Sequence, residues 1–142
     1  MRIHDILSTK GFDVIHIKPD ARVAELVDVL REHNLGAVVV SADGRTIIGI
    51  VSERDVVRRL ADGADVLERP VSALMSTGVH CCRPRDTVTS AMTAMTDRRV
   101  RHLPVVDDTD RLVGIVSIGD VVKSQISELQ FERDQIASYV SG

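Results

Sequence analysis

Aromatic side chains are almost absent from this sequence. Its 142 residues include no tryptophan, one tyrosine and two phenylalanines. Proteins that bind single-stranded nucleic acid stack bases on aromatic rings, and proteins that bind duplexes present basic patches. The chain has neither feature, and its formal net charge is −3. We therefore expect no nucleic-acid partner.

Cysteine and long apolar runs are scarce as well. Cys81 and Cys82 are neighbours, and adjacent strand residues point to opposite faces, so the pair predicts no disulfide framework. No group of metal ligands at workable spacing joins them, so we expect no metal site. The apolar runs are too short to span a bilayer, and the N-terminus lacks a signal-peptide core. These absences predict a cytoplasmic protein with no membrane partner.

The most informative feature that is present is a nine-residue stretch that occurs twice. Residues 49–57 read GIVSERDVV and residues 114–122 read GIVSIGDVV, so seven of the nine positions are identical at a spacing of 65. The same spacing pairs Pro19 with Pro84 upstream. A repeat of this length predicts two copies of one supersecondary unit.

The Ser-x-x-Asp pattern in each copy has two interpretations. Ser52 and Ser117 each follow a short apolar strand, and serine there is a favoured helix N-cap. Asp55 and Asp120 fall in the first helical turn, where a carboxylate suits the helix dipole, so a structural capping box is one interpretation. A ligand site is the other, because helix N-termini bind phosphate and a carboxylate can accept hydrogen bonds from both ribose hydroxyls. The presence of the pattern in both copies favours the ligand-site interpretation.

Apolar periodicity predicts a short leading helix and then β-α-β-β-α in each copy. The fold class is therefore α/β (of the α+β kind), with two related repeats. In the first copy the leading helix contains Ile3, Ile6 and Leu7, and residues 10–12 are extra relative to the second copy. The remaining predicted elements are strands at 14–17, 36–41, 46–51, 79–82, 102–106 and 111–116, a helix at 21–33 with the stripe Val23, Leu26, Val27 and Leu30, a second leading helix with Val71, Leu74 and Met75, and a helix with Val88, Ala91, Met92 and Met95.

The last helix is predicted to be longer than its counterpart. From Asp120 to Tyr139 no residue breaks it, and it carries a narrow apolar stripe at Val122, Ile126, Leu129, Ile136 and Val140. Such a seam is typical of a helix–helix contact, either with the same domain or with a second copy. The predicted boundaries are repeat 1 at 1–64, a linker at 65–70, repeat 2 at 71–124 and a helical extension at 125–142.

Together these features resemble tandem CBS domains, the Bateman module. The resemblance covers residues 3 to 123 and is carried by the two Gly-Ile-Val-Ser-x-x-Asp-Val stretches and by the upstream strand VRHLPVV at 100–106, aligned with residues 35–40. It implies a pseudo-twofold pair of repeats with two clefts between them. Such clefts bind adenosine-containing ligands, which include AMP, ADP, ATP, S-adenosylmethionine and NAD(H).

The resemblance also implies roles for individual residues. Asp55 and Asp120 would hold the ribose hydroxyls, and Ser52 and Ser117 would lie at the phosphate end. Residues that flank the strands would line the base, namely Val14, Ile15, Leu35, Gly36, Ala37, Val79, His80, Val100, Arg101 and His102.

The two clefts are not expected to be equivalent. Arg54 is matched by Gly119, and Arg101 with His102 by Gly36 with Ala37, so charge and volume differ. Arg54 is either a phosphate partner or a solvated surface arginine, and the basic run at residues 98–101 is either part of the cleft or a solvated face. We expect the cleft of Asp55 to bind better.

The leading functional hypothesis is a non-catalytic regulatory sensor that binds an adenine nucleotide and signals to an unidentified regulated protein through a homodimer. The histidines form no recognisable catalytic constellation with an acid and a nucleophile. One alternative is a structural interaction module with degenerate clefts. Another is a dinucleotide-dependent redox protein that uses Cys81 or Cys82, although the chain has no Gly-rich dinucleotide turn and no Cys-x-x-Cys pair.

Overall fold

The computed structural model describes residues 1–141 and divides the chain into two compact units. Unit 1 contains residues 1–12, residues 81–105 and the residues from 114 on, and unit 2 contains residues 13–80 and 106–113. The units are therefore not the two sequence repeats, because the leading helix of the first repeat packs with the elements of the second. The predicted mixed α and β class with a long C-terminal helix is confirmed.

Unit 2 is built on a three-stranded sheet of order β1-β2-β3. Its elements are β1 (His16–Ile17), α2 (Val23–Glu32), β2 (Ala37–Val40), β3 (Gly49–Ser52), α3 (Glu53–Leu60) and two 3-10 helices (Ala64–Glu68 and Val71–Ala73). β1 and β2 are parallel, and β3 is antiparallel to β2. Because the predicted stripe of α2 recurs every three to four residues, α2 buries Val23, Leu26 and Leu30 against the sheet, and Val27 at the edge of the stripe stays exposed.

The elements of unit 1 are α1 (Ile3–Lys10), α4 (Val88–Arg98), β4 (His102–Val106), β5 (Leu112–Ser117) and α5 (Ile118–Ser141). β4 and β5 form a two-stranded sheet, and the turn between them lies in the part of the chain assigned to unit 2. α1 buries the three predicted residues, Ile3, Ile6 and Leu7, and α4 buries Val88, Ala91 and Met95. No helix within residues 1–141 is long and apolar enough to cross a membrane.

Several predicted elements are shorter than the sequence suggested. The strand predicted at 14–17 is reduced to His16–Ile17, and the strand predicted at 79–82 to a single parallel bridge between Cys82 and Val105. The second leading helix is one 3-10 turn. The predicted linker contains a 3-10 helix whose Val66 is 1% exposed and belongs to the core of unit 2. Strand ends depend on which neighbour pairs with them, and local periodicity does not report that pairing.

Two glycines at equivalent positions of the repeats allow close packing against the strand that each one occupies. A Cβ on Gly49 would lie 2.7 Å from the backbone oxygen of Ser76, whereas a Cβ on Gly114 would lie 2.8 Å from the terminal carbons of Leu7. Backbone cannot move aside as easily as the end of a flexible side chain.

Gly49→Ala is therefore expected to destabilise the protein by about 1–3 kcal/mol, as overpacking usually does, and Gly114→Ala by less. Urea unfolding of both variants measures the difference. Each variant is the control for the other, since both place the same methyl group at the same register of the repeat. Equal losses, or a larger loss for Gly114→Ala, would contradict this explanation.

Candidate functional site

The predicted site residues of the first repeat converge on one edge of the sheet in unit 2. β1 and β2 are parallel, with His16 opposite Val39, so both strands begin at the same edge. β3 runs the other way and ends there, with Ser52 opposite Ala37. The topology thus gathers three predicted groups at this edge, namely the entry to β1 at Val14 and Ile15, the entry to β2 at Leu35, Gly36 and Ala37, and the end of β3 at Ser52.

At this edge Ser52 caps α3, and the capping box is formed in full. The Ser52 backbone N–H donates to Asp55 Oδ2 at 2.8 Å, and the Asp55 backbone N–H donates to Ser52 Oγ at 3.3 Å. The Ser52 hydroxyl also donates to Asp55 Oδ2 at 3.0 Å. We refer to this group, with the strand entries beside it, as the Asp55 site.

Unit 1 contains the equivalent arrangement, which we refer to as the Asp120 site. The Ser117 backbone N–H donates to Asp120 Oδ2 at 2.9 Å, and the Asp120 backbone N–H donates to Ser117 Oγ at 3.1 Å. A further hydrogen bond occurs at equivalent positions of the two repeats. The Glu53 N–H donates to the Gly36 carbonyl at 3.0 Å, and the Ile118 N–H donates to the Arg101 carbonyl at 2.8 Å. The structural interpretation of Ser-x-x-Asp is therefore correct in both copies.

The capping bonds limit what a ligand could use at these helix N-termini. In α3 the first N–H group is taken by Gly36 and the third by Ser52, which leaves the N–H of Arg54. The carboxylate keeps capacity, because Asp55 Oδ1 accepts no hydrogen bond from any residue in the described part of the chain. The Asp55 site thus offers a carboxylate oxygen, a serine hydroxyl and one amide, which suits ribose hydroxyls better than a buried phosphate.

The remaining predicted residues differ in how well their positions match their predicted roles. Val14, Leu35 and Gly36 are half-buried in unit 2, and Ile15 is exposed. Arg54 is exposed, which is compatible with a phosphate partner and with a solvated arginine alike. In unit 1, Val100 and Arg101 are exposed and His102 is half-buried at the start of β4, while Val79 and His80 fall in unit 2.

Part of the predicted basic run has a structural role. Arg99 is the C-cap of α4 and adopts the left-handed conformation, with φ 55° and ψ 41°. Asn34, its equivalent after α2, also has a positive φ of 52°. Both residues end a helix where glycine or asparagine is usual, so backbone geometry accounts for position 99.

Lys10 is the residue of the Asp120 site that sequence analysis missed. Its ammonium donates to Asp120 Oδ2 at 2.6 Å and to the Ile115 carbonyl at 2.9 Å. Burial raises the pKa of Asp120, but the hydrogen bonds from Lys10 and from the Ser117 backbone together lower it by more. The pKa of Asp120 therefore lies below its usual value. The only signal in the sequence was that Lys10 belongs to the three residues without a counterpart in the second repeat.

The surroundings of Cys82 do not favour redox chemistry. Burial raises the pKa of the Cys82 thiol to about 12, and the charge of Asp86 adds to the effect. Such a thiol stays protonated at neutral pH, and the thiolate is the reactive form. Cys82 also supplies the backbone bridge to Val105, so packing explains its position.

Comparison with known proteins identifies the family. The model of the CBS domain matches residues 3–62 and 71–127, so the chain belongs to the CBS domain family and carries two tandem copies. The mitochondrial CBS domain-containing protein CBSX3 of Arabidopsis thaliana is 32% identical over 149 aligned positions, which cover 99% of this chain and 72% of the relative.

Two solved structures are informative. The CBS-domain protein ATU1752 of Agrobacterium tumefaciens is 42% identical, with a TM-score of 0.83 over 88% of this chain and 99% of the other. CBSX2, solved in complex with AMP, shares the fold at 22% identity, with a TM-score of 0.71 over 89% of this chain and 96% of the other.

The lowered pKa of Asp120 predicts a pH-dependent contribution to stability. Because the folded pKa lies below the unfolded value of about 3.9, the carboxylate stabilises the fold above that pH, and the contribution is lost as the pH falls through the folded pKa. Asp120→Asn should therefore reduce the free energy of unfolding most near neutral pH. Urea unfolding at about pH 7 and about pH 3 measures this change. Asp134→Asn, an exposed carboxylate on the same helix, is the control, and a deficit of Asp120→Asn that stays constant with pH would contradict the assignment.

Proposed function

We propose that the protein is a non-catalytic sensor whose Asp55 site binds an adenosine-containing ligand such as AMP, ATP or NAD(H). The observation that carries the proposal is the convergence of Ser52, Asp55 and the two strand entries on one sheet edge. Membership of the CBS domain family and the AMP complex of CBSX2 support the ligand class.

In the proposed complex Asp55 Oδ1 accepts a hydrogen bond from a ribose hydroxyl. The Ser52 hydroxyl hydrogen, which now points to the same carboxylate, can turn towards the ligand while Oγ continues to accept from the Asp55 N–H. The base would lie against Val14, Ile15 and Leu35, because the repeats offer no aromatic ring at this edge. A mostly apolar pocket with a few placed polar groups is the usual form of such a site.

Thermal unfolding in the presence of AMP, ADP, ATP, NAD(H) or S-adenosylmethionine tests the ligand class. A ligand that binds only the folded state raises the melting temperature as its concentration rises. We expect at least one of these adenosine compounds to do so, and guanosine monophosphate to have no effect. The alternative of a structural module with degenerate clefts would be supported if none of them changed the melting temperature.

Replacement of the two aspartates should weaken AMP binding unequally. Asp55→Ala removes an acceptor that is charged, so we expect a loss of about 1.5–3 kcal/mol in AMP binding, measured by calorimetry. Asp120→Ala should have a smaller effect. Asp62→Ala, which removes an exposed carboxylate just after α3, is the control and should leave binding unchanged. Unchanged affinity in the Asp55→Ala variant would contradict the ribose assignment.

We also propose that the sensor is a homodimer and that α5 contributes to the contact. The predicted stripe is exposed, with Val122 at 44%, Ile126 at 51%, Leu129 at 62%, Ile136 at 65% and Val140 at 78%. The stripe therefore does not pack on the protein's own core. A self-complementary contact around a twofold axis is the commonest way to cover such a surface. A regulated protein would then respond to the arrangement of the dimer.

Truncation after Ser124 should weaken self-association and leave AMP binding intact. Val121 and Ser124 are buried, and residues 125–140 of α5 are exposed or half-buried, so the cut spares the core. Light scattering of the full-length and truncated proteins at tens of micromolar, a concentration typical of such measurements, tests this prediction. A monomeric full-length protein would exclude the dimer, and equal association of both proteins would exclude α5 as the contact.

A further inference from the structure

The ammonium of Lys10 occupies the carboxylate of the Asp120 site. It lies 2.6 Å from Asp120 Oδ2, and the ion pair is partly shielded, with the side chains 37% and 25% exposed. The same ammonium donates to the Ile115 carbonyl at 2.9 Å, so two groups of the Asp120 site share one cation.

The position of Lys10 is fixed by the rest of α1. The first turn is tied down by hydrogen bonds from the Ile3 and His4 N–H groups to the carbonyls of Asp86 and Pro84, both at 2.9 Å. Leu7 packs closely over Gly114 of β5. Lys10 is the last residue of the helix, where a cation is favoured by the dipole, and Asp120 is in the first turn of α5, where an anion is favoured. Both helix ends therefore support the pair.

The Asp55 site has no such cation. The residue equivalent to Ile115 is Ile50, and its carbonyl accepts a hydrogen bond from the Ser76 backbone N–H at 2.9 Å. In unit 2 a backbone N–H thus donates to this carbonyl, whereas in unit 1 the Lys10 ammonium donates to the equivalent one. The carboxylate of Asp55 meets only donors of Ser52, and no lysine approaches it among the described residues.

We propose that Lys10 closes the Asp120 site, so that the chain binds one adenosine ligand, at the Asp55 site. This inference rests on the proposed function. The ammonium binds Oδ2, which the Ser117 N–H also binds, and its charge neutralises the carboxylate that a ribose would bind through Oδ1. A ribose that bound both carboxylate oxygens would have to displace the ammonium and leave the Ile115 carbonyl without its donor. The apparent affinity of a site falls by the fraction of molecules in which it is open. Lys10 is therefore a specificity-determining residue that makes two similar sites unequal.

Removal of Lys10 should open the second site. Calorimetric titration with AMP is expected to give about one site per chain for the wild type and about two for Lys10→Met, with the added site at least about tenfold tighter than any residual binding at Asp120 in the wild type. Lys123→Met removes the same charge from the exposed surface of α5 and should leave the stoichiometry unchanged. Lys10→Gln, whose amide can still donate to the Ile115 carbonyl, is the second variant if Lys10→Met unfolds.

The double variant Lys10→Met with Asp55→Ala assigns the new site. It should retain one site, whereas Asp55→Ala alone should show no strong binding. Two equivalent sites in the wild type, or one site in every lysine variant, would overturn the closure and leave the proposed function standing. Weaker binding in Lys10→Met would make Lys10 a ligand-binding residue and also overturn it. If none of the proteins bound AMP or any other of the adenosine compounds used in thermal unfolding, the proposed function and the closure would both fail.

Discussion

The hydrogen bond from a strand-ending serine N–H to the carboxylate three residues later is the constraint on which the candidate sites depend. At Ser52 it joins the last residue of β3 to the first turn of α3, and the carbonyl of Gly36 holds the same turn from the neighbouring strand. The carboxylate is thereby fixed at the sheet edge with one oxygen committed and one available. The aspartate can offer its second oxygen as an acceptor without a further ion pair, because the helix dipole already stabilises its negative charge. The structural and the ligand-binding interpretations of Ser-x-x-Asp are therefore compatible.

The same constraint explains how much could be predicted from the sequence. Individual hydrogen bonds recur at the spacing of 65, because the residues that cap helices or pair strands have their partners inside the same repeat. Ser52 and Ser117, Gly36 and Arg101, and the parallel pairings of Ile17 and Cys82 are equivalent in this sense. Local chemistry and repetition were sufficient for these features, and for the buried stripes of α1 and α2.

Features that depend on distant partners could not be predicted. Lys10 meets an aspartate 110 positions further along the chain, and nothing near Lys10 in the sequence indicates that contact. Val66 lies within the segment predicted as a linker, yet it is buried in unit 2. The strands predicted at 14–17 and 79–82 were too long for a related reason, because a strand ends where its pairing with the neighbouring strand ends. The assignment of α1 to unit 1 is the largest example of this kind.

That assignment also constrains how the protein is made. α1 is synthesised before the elements that it packs against, and Gly114, which Leu7 contacts, follows Leu7 by about a hundred residues. Unit 2 takes most of its residues from one continuous stretch and can form its sheet while synthesis continues, as domains generally do. Leu7 cannot make its contact with Gly114 until β5 has been synthesised, and closing so long a loop carries an entropic cost. We therefore expect the apolar face of α1 to be most open to aggregation in the interval before β5 has been synthesised.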